Sequence, residues 1–172
     1  MLIAALLATL PVIALQDPPA VDPPPQETEA AVEAPPTPEE AAAAIKEALE
    51  GKDFIAIAAT VERLGVIEGK EVVKAVAPAL KSKDPLVRTA ALRALRYNPE
   101  PSALAELLKR KADKTILEDP DLAVEYYYAL GQSGDPKAID VLKDDLFSGA
   151  RGDKVARARI AGLGRIRDLG SV

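Results

Sequence analysis

The stretch that decides the fold is Val87-Arg-Thr-Ala-Ala-Leu-Arg-Ala-Leu95, which returns in looser form at 122–131 and again at 155–164. Each of the first two copies is followed by a second apolar segment, at 101–108 and at 135–142. The copies are aligned by three residue pairs, Leu64 with Leu95, Ala94 with Ala129 and Leu130 with Leu163, at spacings of 31, 35 and 33 residues. A period of this size is typical of stacked supersecondary units, none of which buries its apolar face alone.

Helical periodicity continues through the chain from residue 39 onward, and no alternating β-branched run of the strand type occurs. We therefore predict an all-α fold, an α-solenoid of three to four stacked antiparallel helix pairs. The predicted helices span 39–50, 53–64, 69–82, 85–97, 101–114, 120–132, 136–147 and 153–167.

Helix starts are marked by an aspartate directly before a proline, at residues 84, 119 and 135. Aspartate accepts hydrogen bonds from the free N–H groups of a first turn, and proline suits the first helical position because its missing N–H has no intrahelical partner. Asp119 and Asp121 have the alternative reading of a calcium loop. The glycine and the distal glutamate of an EF-hand are absent there, so capping is favoured.

The repeated segments resemble HEAT repeats of the short bacterial type, also called phycobilisome-lyase-type HEAT-like repeats, over roughly 53–172. This resemblance implies a right-handed α-solenoid with two helices per repeat, the first lining the convex side and the second the concave side. It is specific for fold and weak for function. The motifs that carry it are Val87-Arg-x-Ala-Ala-x-x-Ala-Leu95, Tyr128-Ala-Leu-Gly-x-x-Gly-Asp135, Ala138-Ile-x-x-Leu142 and Val155-Ala-Arg-x-Arg-Ile-Ala-Gly-Leu-Gly-Arg-Ile-Arg-Asp168.

Residues 1–15 and 16–38 differ from the repeats and from each other. The first segment contains an apolar run at 2–15, too short for the ~20 residues of a membrane-spanning helix and interrupted by Pro11. It predicts a signal peptide, with Val12 and Ala14 as small residues before a cut, and so an exported protein; a buried N-terminal helix is the alternative. The second segment holds eight prolines and five unbalanced acids, which predicts a disordered, acidic, Pro-rich linker.

Composition excludes much catalytic chemistry in the repeat domain, which we place at 39–172. The chain has no Cys and no His, which removes disulfides, thiolate metal sites and the commonest general base and metal ligand. Beyond residue 38 the 22 remaining acids equal the 22 bases, so no field that would attract nucleic acid is expected. We predict neither cofactor nor metal, and no enzymatic activity. The lyase or isomerase activity of some members of the resembled family is a less favoured alternative.

Two groups of side chains are candidates for binding. Tyr126, Tyr127 and Tyr128 span about 200° of a helix, so they cannot all be buried on one face. Either one or two lie in the core, or the outward one anchors a partner. The basic group of the last copy is either solvated helix surface or a patch for an anionic polymer or acidic protein. The candidate residues are Tyr126, Tyr127, Tyr128, Arg157, Arg159, Arg165 and Arg167.

The sequence thus predicts an exported, noncatalytic scaffold that binds another protein through the surface of stacked helices. The alternative is a binder of an anionic ligand or envelope polymer through the C-terminal arginines. Self-association is also expected, because the apolar residues of the last copy lack a following helix pair and should be exposed in a monomer. Those residues are Val155, Ile160, Leu163 and Ile166.

Overall fold

The computed structural model of the protein describes residues 35–144, 146 and 152–166. Within these residues every regular secondary-structure element is a helix, as predicted. The elements are α1 Pro38–Leu49, α2 Phe54–Leu64, α3 Lys70–Val76 with a 3-10 turn Ala77–Lys81, α4 Pro85–Tyr97, α5 Pro101–Leu108, α6 Lys114–Leu117, α7 Pro120–Gln132, a 3-10 turn Pro136–Ala138, α8 Ile139–Lys143 and α9 Gly152–Leu163.

Aspartate caps begin the helices where the Asp-Pro pairs predicted them. The Asp84 carboxylate accepts from the backbone N–H of Leu86 at 2.8 Å, and the Asp119 carboxylate accepts from that of Asp121 at 2.9 Å. Asp135 caps its 3-10 turn in the same way through the Lys137 N–H at 2.9 Å. Each cap contributes about 1 kcal/mol. The capping interpretation of the Asp119–Asp121 pair is therefore confirmed.

The helices form two rows. The first row runs α2, α4, α7, α9, with each helix packed on the next, and the second row includes α1, α3 and α5, packed in that order. α4 pairs with α5, and α8 packs on both α7 and α9. The first-row helices begin at residues 54, 85, 120 and 152, so the repeat period seen in the sequence is the distance from one first-row helix to the next. Stacked helix pairs of this kind confirm the predicted solenoid architecture.

The core is built from small and aliphatic side chains that lie between the rows. Leu64, Leu95 and Leu130, which align the repeats in the sequence, are 6%, 2% and 0% exposed. A fully buried Leu, Ile or Val contributes about 1.5–3 kcal/mol relative to an exposed one. The alanines Ala94 and Ala129 are equally buried and let neighbouring first-row helices approach closely.

Three predicted helices are shorter than expected, and one of them, expected at 153–167, ends at Leu163. The helix expected at 101–114 ends at Leu108, because the chain turns through 109–113 and Asp113 caps the separate short helix α6. The helix expected at 136–147 opens as a 3-10 turn and continues as α8 only to Lys143. The row of first helices nevertheless continues from α4 to α7 across this long connection.

The prediction of an uncovered apolar face in the last copy is wrong for two of its four residues. Val155 and Ile166 are 1% and 3% exposed, since they point into the core. Ile160 is 56% exposed and Leu163 is half-buried, so part of the expected face is open.

The predicted signal peptide and almost all of the predicted linker lie outside the described residues, as does Arg167. In the part of the chain that the structure describes, no helix is both long and apolar enough to cross a membrane.

Candidate binding surface

Two of the three consecutive tyrosines belong to the core. Tyr126 and Tyr127 are 0% and 2% exposed, and their rings meet edge to face with centroids 5.3 Å apart. The Tyr126 hydroxyl donates a hydrogen bond to the Leu107 carbonyl at 3.2 Å, which ties α7 to the end of α5. Direct contact with a partner is therefore excluded for both side chains in this fold. The core interpretation holds for Tyr126 and Tyr127, which are corrected from candidate binding residues to packing residues.

Burial of Tyr126 makes the free energy of unfolding depend on pH in the alkaline range. It raises the pKa of Tyr126 above its ordinary value of 10.0, with smaller contributions from Tyr127 and Asp113. The neutral phenol is thus favoured in the folded state, and its contribution to the free energy of unfolding is present below pH ~10 and is lost as the pH rises further. We expect Tyr126→Phe to be less stable than wild type by about 1 kcal/mol near neutrality, from the lost hydrogen bond. Above pH ~10.5 the difference should shrink and then reverse.

Urea unfolding at neutral and alkaline pH measures this difference. Tyr97→Phe, at an exposed ring, keeps the number of tyrosines the same and serves as the control. A constant difference between Tyr126→Phe and wild type at both pH values would contradict the argument.

Arg159 is the second correction, because it is buried rather than part of a basic surface. Arg159 is 2% exposed, and its Nε donates a hydrogen bond to the Leu142 carbonyl at 2.9 Å. A terminal nitrogen donates to the Val141 carbonyl at 3.3 Å, and the guanidinium lies 4.8 Å from the centroid of the Tyr127 ring. The cation therefore satisfies carbonyls near the C-terminal end of α8, where the helix dipole favours positive charge.

Tyr128 lies at the surface in an array of alternating rings and cations. The Arg96 guanidinium lies 5.0 Å from the Tyr97 centroid and 5.1 Å from the Tyr128 centroid, so it is shared between two rings. Arg165 lies over the same Tyr128 ring at 5.5 Å. The Arg–Tyr array, defined as Tyr97, Arg96, Tyr128 and Arg165, thus crosses α4, α7 and the turn after α9. Three successive repeats contribute to it.

Two carboxylates pair with the arginines of α4 beside this array. Glu125 of α7 accepts from Arg93 at 3.0 Å and lies 3.7 Å from Arg96. Arg93 also reaches Glu62 of α2 at 3.7 Å, so one arginine joins three first-row helices. The hydrogen bond to Glu125 is the main cause of the raised pKa of Arg93. The exposed Arg93–Glu62 pair contributes little stability. Arg96 and Glu125 are largely buried, and their charges lie within 3.7 Å of each other.

The remaining basic candidates are dispersed. Arg157 is exposed on α9, and Arg165 is exposed but stacked on Tyr128. Lys154 pairs with Asp121 of the preceding first-row helix, and this hydrogen bond raises the pKa of Lys154. The arginines that looked like one cluster in the sequence therefore have different environments in the fold.

A cavity of about 500 Å³ adjoins the array. Arg96 and Tyr97 line one part of it, and the apolar side chains of Leu104, Leu108 and Ala129 line another. It lies between the turn that follows α4 and the turn that follows α7. Within the described residues, no group of three or more Asp or Glu side chains is placed to hold a metal ion.

Sequence reasoning missed Arg96 and Tyr97 as surface residues. Tyr97 is 57% exposed, the largest exposed aromatic side chain in the described part of the chain. The available signal was the Arg96-Tyr97-Asn98 sequence at a helix end where the other copies have glycine. It indicated only an irregular turn, because the ring from the next repeat that completes the array lies 31 residues further along the chain.

Comparison with known families agrees with this architecture. Residues 41–118 match a family model described as HEAT repeats, a segment that begins in α1 and includes α2, α3, α4 and α5. Residues 41–118 therefore contain HEAT repeats. Beyond the matched segment, α7 and α9 continue the same first row. No curated protein and no solved structure gives a significant match to the chain. The phycobilisome-lyase-type subgroup, the right-handed sense and the concave side stay predictions.

Proposed function

We propose that this protein is a noncatalytic scaffold that binds another protein, and that the Arg–Tyr array is the centre of the binding surface. HEAT repeats commonly serve as protein-interaction scaffolds, since stacked repeats present one extended surface. The observation that carries the proposal is the exposed Tyr97 ring held by Arg96 beside the Tyr128–Arg165 stack.

The physical support is pre-organisation. Tyrosine and arginine dominate binding hot spots because they bury large area and still offer polar atoms. Stacked rings and guanidinium groups are already restricted, so less side-chain entropy is lost on binding. The charged side chains of the array are both arginines, and the neighbouring carboxylate of Glu125 already pairs with Arg93 and Arg96. The expected partner surface therefore carries carboxylates next to an apolar side chain.

The second-row helices support a protein partner as well. The exposed charges of α3 are mixed in sign, and Glu71 and Lys74 pair with each other at 2.9 Å. Mixed charge suits protein recognition better than a nucleic acid, which requires a continuous basic surface. The anionic-polymer alternative has less support, because Arg159 is buried and Arg165 is stacked.

Export belongs to the same proposal and rests on the apolar run at 2–15, with the Pro-rich segment at 16–38 as a spacer between it and the repeats. The absence of Cys suits an oxidising compartment as well as a reducing one, so it does not argue against export.

The test is a quantitative capture from an envelope fraction with wild type, Tyr97→Ala and Arg165→Ala immobilised in parallel. We expect a specific partner retained by wild type to lose about tenfold or more of its retention with Tyr97→Ala. The melting temperature should change little, because the Tyr97 ring is mostly solvated. Lys111→Ala, at an exposed lysine away from the array, is the matched control.

Equal retention by all four proteins would contradict the proposal. Loss with Arg165→Ala, but not with Tyr97→Ala, together with release by salt, would favour the anionic-ligand alternative.

A further inference from the structure

One side of α9 is open in the described part of the chain. α9 packs on α7 and α8 with Val155, Ala158 and Gly162. The rest of its surface presents a stripe of exposed residues at helical spacing, in which a half-exposed isoleucine lies among small and basic side chains. Lys154 and Arg165 form the edge of this stripe next to α7, where they contact Asp121 and Tyr128. The stripe consists of Lys154, Arg157, Ile160, Ala161, Gly164 and Arg165.

The register of the repeats shows that this side has room for another helix. In α7, Gly131 lies against the Gly162 backbone of α9, and in the first repeat Gly65 lies against Ala94 of α4. Gly164 is the residue of the last copy that aligns with Gly131. A Cβ added at Gly164 would meet only carbonyl oxygens of its own turn, at 3.6 and 3.7 Å. The close-approach position is therefore present and unoccupied by any described residue.

The charges of this stripe select its partner. Lys154 already pairs with Asp121, and the remaining cations Arg157 and Arg165 outnumber Asp153 on this side. None of the described carboxylates pairs with Arg157. Two such surfaces would repel each other, so the stripe needs an acidic helix rather than a second α9.

The chain carries an acidic helix at the other end of its stack. α1 packs on α2 and α3, and its outer side exposes Ala43 together with four glutamates and one lysine. The small Ala43 lies near the middle of this side, as a close helix crossing requires. The charged residues are Glu39, Glu40, Lys46, Glu47 and Glu50. α2 is a poorer candidate, because the residue that aligns with Ala94 and Gly162 is Arg63, too large for the crossing position.

We propose that the basic outer side of α9 binds the acidic outer side of α1 in a second copy of this chain, head to tail. The two surfaces are complementary in charge and in the placement of small residues. Because they are different surfaces, the contact is heterologous, and repetition gives open chains of molecules rather than closed two-fold dimers. This interface lies apart from the Arg–Tyr array except at Arg165, so its failure would leave the proposed scaffold function untouched.

A contact between two short helices is smaller than a stable interface, which buries about 800 Å² per partner. We therefore expect weak association that depends on salt, detectable by sedimentation equilibrium at high protein concentration. For the full 172-residue chain, association should be stronger in about 50 mM salt than in about 500 mM salt, where the Debye length falls from about 14 to about 4 Å.

Charge-reversal variants test the two surfaces. Arg157→Glu and Glu47→Lys should each weaken association about tenfold at low salt, since each turns attraction into repulsion. Mixed together, the two variants offer the wild-type contact through the intact α1 of one and the intact α9 of the other, and the charge-swapped contact through their mutated surfaces, so the mixture should associate more strongly than either variant alone. The double variant in one chain should recover most of the association. Lys111→Glu and Glu118→Lys are controls with the same charge changes at exposed residues away from both helices.

All of these variants keep residues 1–34, so any association through that segment is common to every sample. A wild-type chain that stays monomeric at about 1 mM in low salt overturns the proposal. So does association that Arg157→Glu and Glu47→Lys change no more than the two controls do.

Discussion

Gly131→Ala is expected to destabilise the protein by about 2 kcal/mol or more, despite the higher helix propensity of alanine. A Cβ at this position would lie 2.2 Å from the Gly162 Cα and 3.0 Å from its carbonyl carbon and oxygen. The obstacle is backbone, which cannot rotate away, so α7 and α9 must separate. Overpacking of this kind costs about 3 kcal/mol, and the helix preference for alanine offsets about 1 kcal/mol. Chemical denaturation measures the difference.

The loss should be local, because each unit of a stacked repeat contacts only its neighbours. We expect hydrogen exchange to accelerate in α9 and to stay close to the wild-type rate in α2. Gly164→Ala is the matched control, since the added Cβ meets nothing closer than 3.6 Å. If the two alanine variants lost the same stability, close approach of α7 and α9 would not be the reason for glycine at residue 131.

Asn98→Asp is expected to cost about 3 kcal/mol or more at pH 7, although it changes one atom for another of similar size. The Asn98 amide is 7% exposed, and its nitrogen donates to the carbonyls of Gly65 at 2.7 Å and Ile67 at 2.8 Å. Its oxygen accepts from the Glu100 N–H at 2.9 Å. A carboxylate would place a negative oxygen against two carbonyl oxygens in a buried site.

The pH dependence separates this effect from simple loss of contacts. A carboxyl at residue 98 should have a raised pKa in the folded state, so its penalty is greatest above that pKa and falls as the pH is lowered and the group becomes a donor. Unfolding by urea at about pH 7 and about pH 4.5 should show Asn98→Asp recovering stability relative to Asn98→Ala. Asn98→Ala itself should lose about 2 kcal/mol, because two buried carbonyls lose their donor. An Asn98→Asp variant as stable as wild type at neutral pH would contradict the orientation of the amide.

The role of Asn98 could not be predicted from the repeat pattern. The sequence Tyr97-Asn98-Pro99 departs from the Gly-Asp turn at 134–135. In the structure Asn98 bridges from the turn after α4 to the turn after α2 and joins two repeats. A side chain that bonds to backbone 31 and 33 residues away leaves no periodic trace.

The roles of Gly131 and Gly164 likewise depend on the tertiary structure. Gly131 and Gly164 occupy equivalent positions in their copies. Gly131 lies inside α7 at a helix crossing, whereas Gly164 follows the last residue of α9. The difference depends on whether a neighbouring helix is present, which a single sequence position does not encode.

The candidate binding residues needed the most correction. Three consecutive tyrosines indicate that one ring must differ in exposure from the others, and Tyr128 is the ring that does. Which ring it is depends on the rotation of α7 against α4 and α9. The same rotation buries Arg159 under Tyr127 and brings Arg165 onto Tyr128.

The sequence by itself determined the local structure. The repeat period, the Asp-Pro helix starts and the apolar stripes determine an all-helical stack of pairs, because capping and amphipathicity act over a few residues. Tertiary structure alone decided the surface. The Arg–Tyr array, the Asn98 bridge and the open side of α9 each join residues from different repeats, and their geometry is set by how neighbouring helices rotate and cross once the core excludes water.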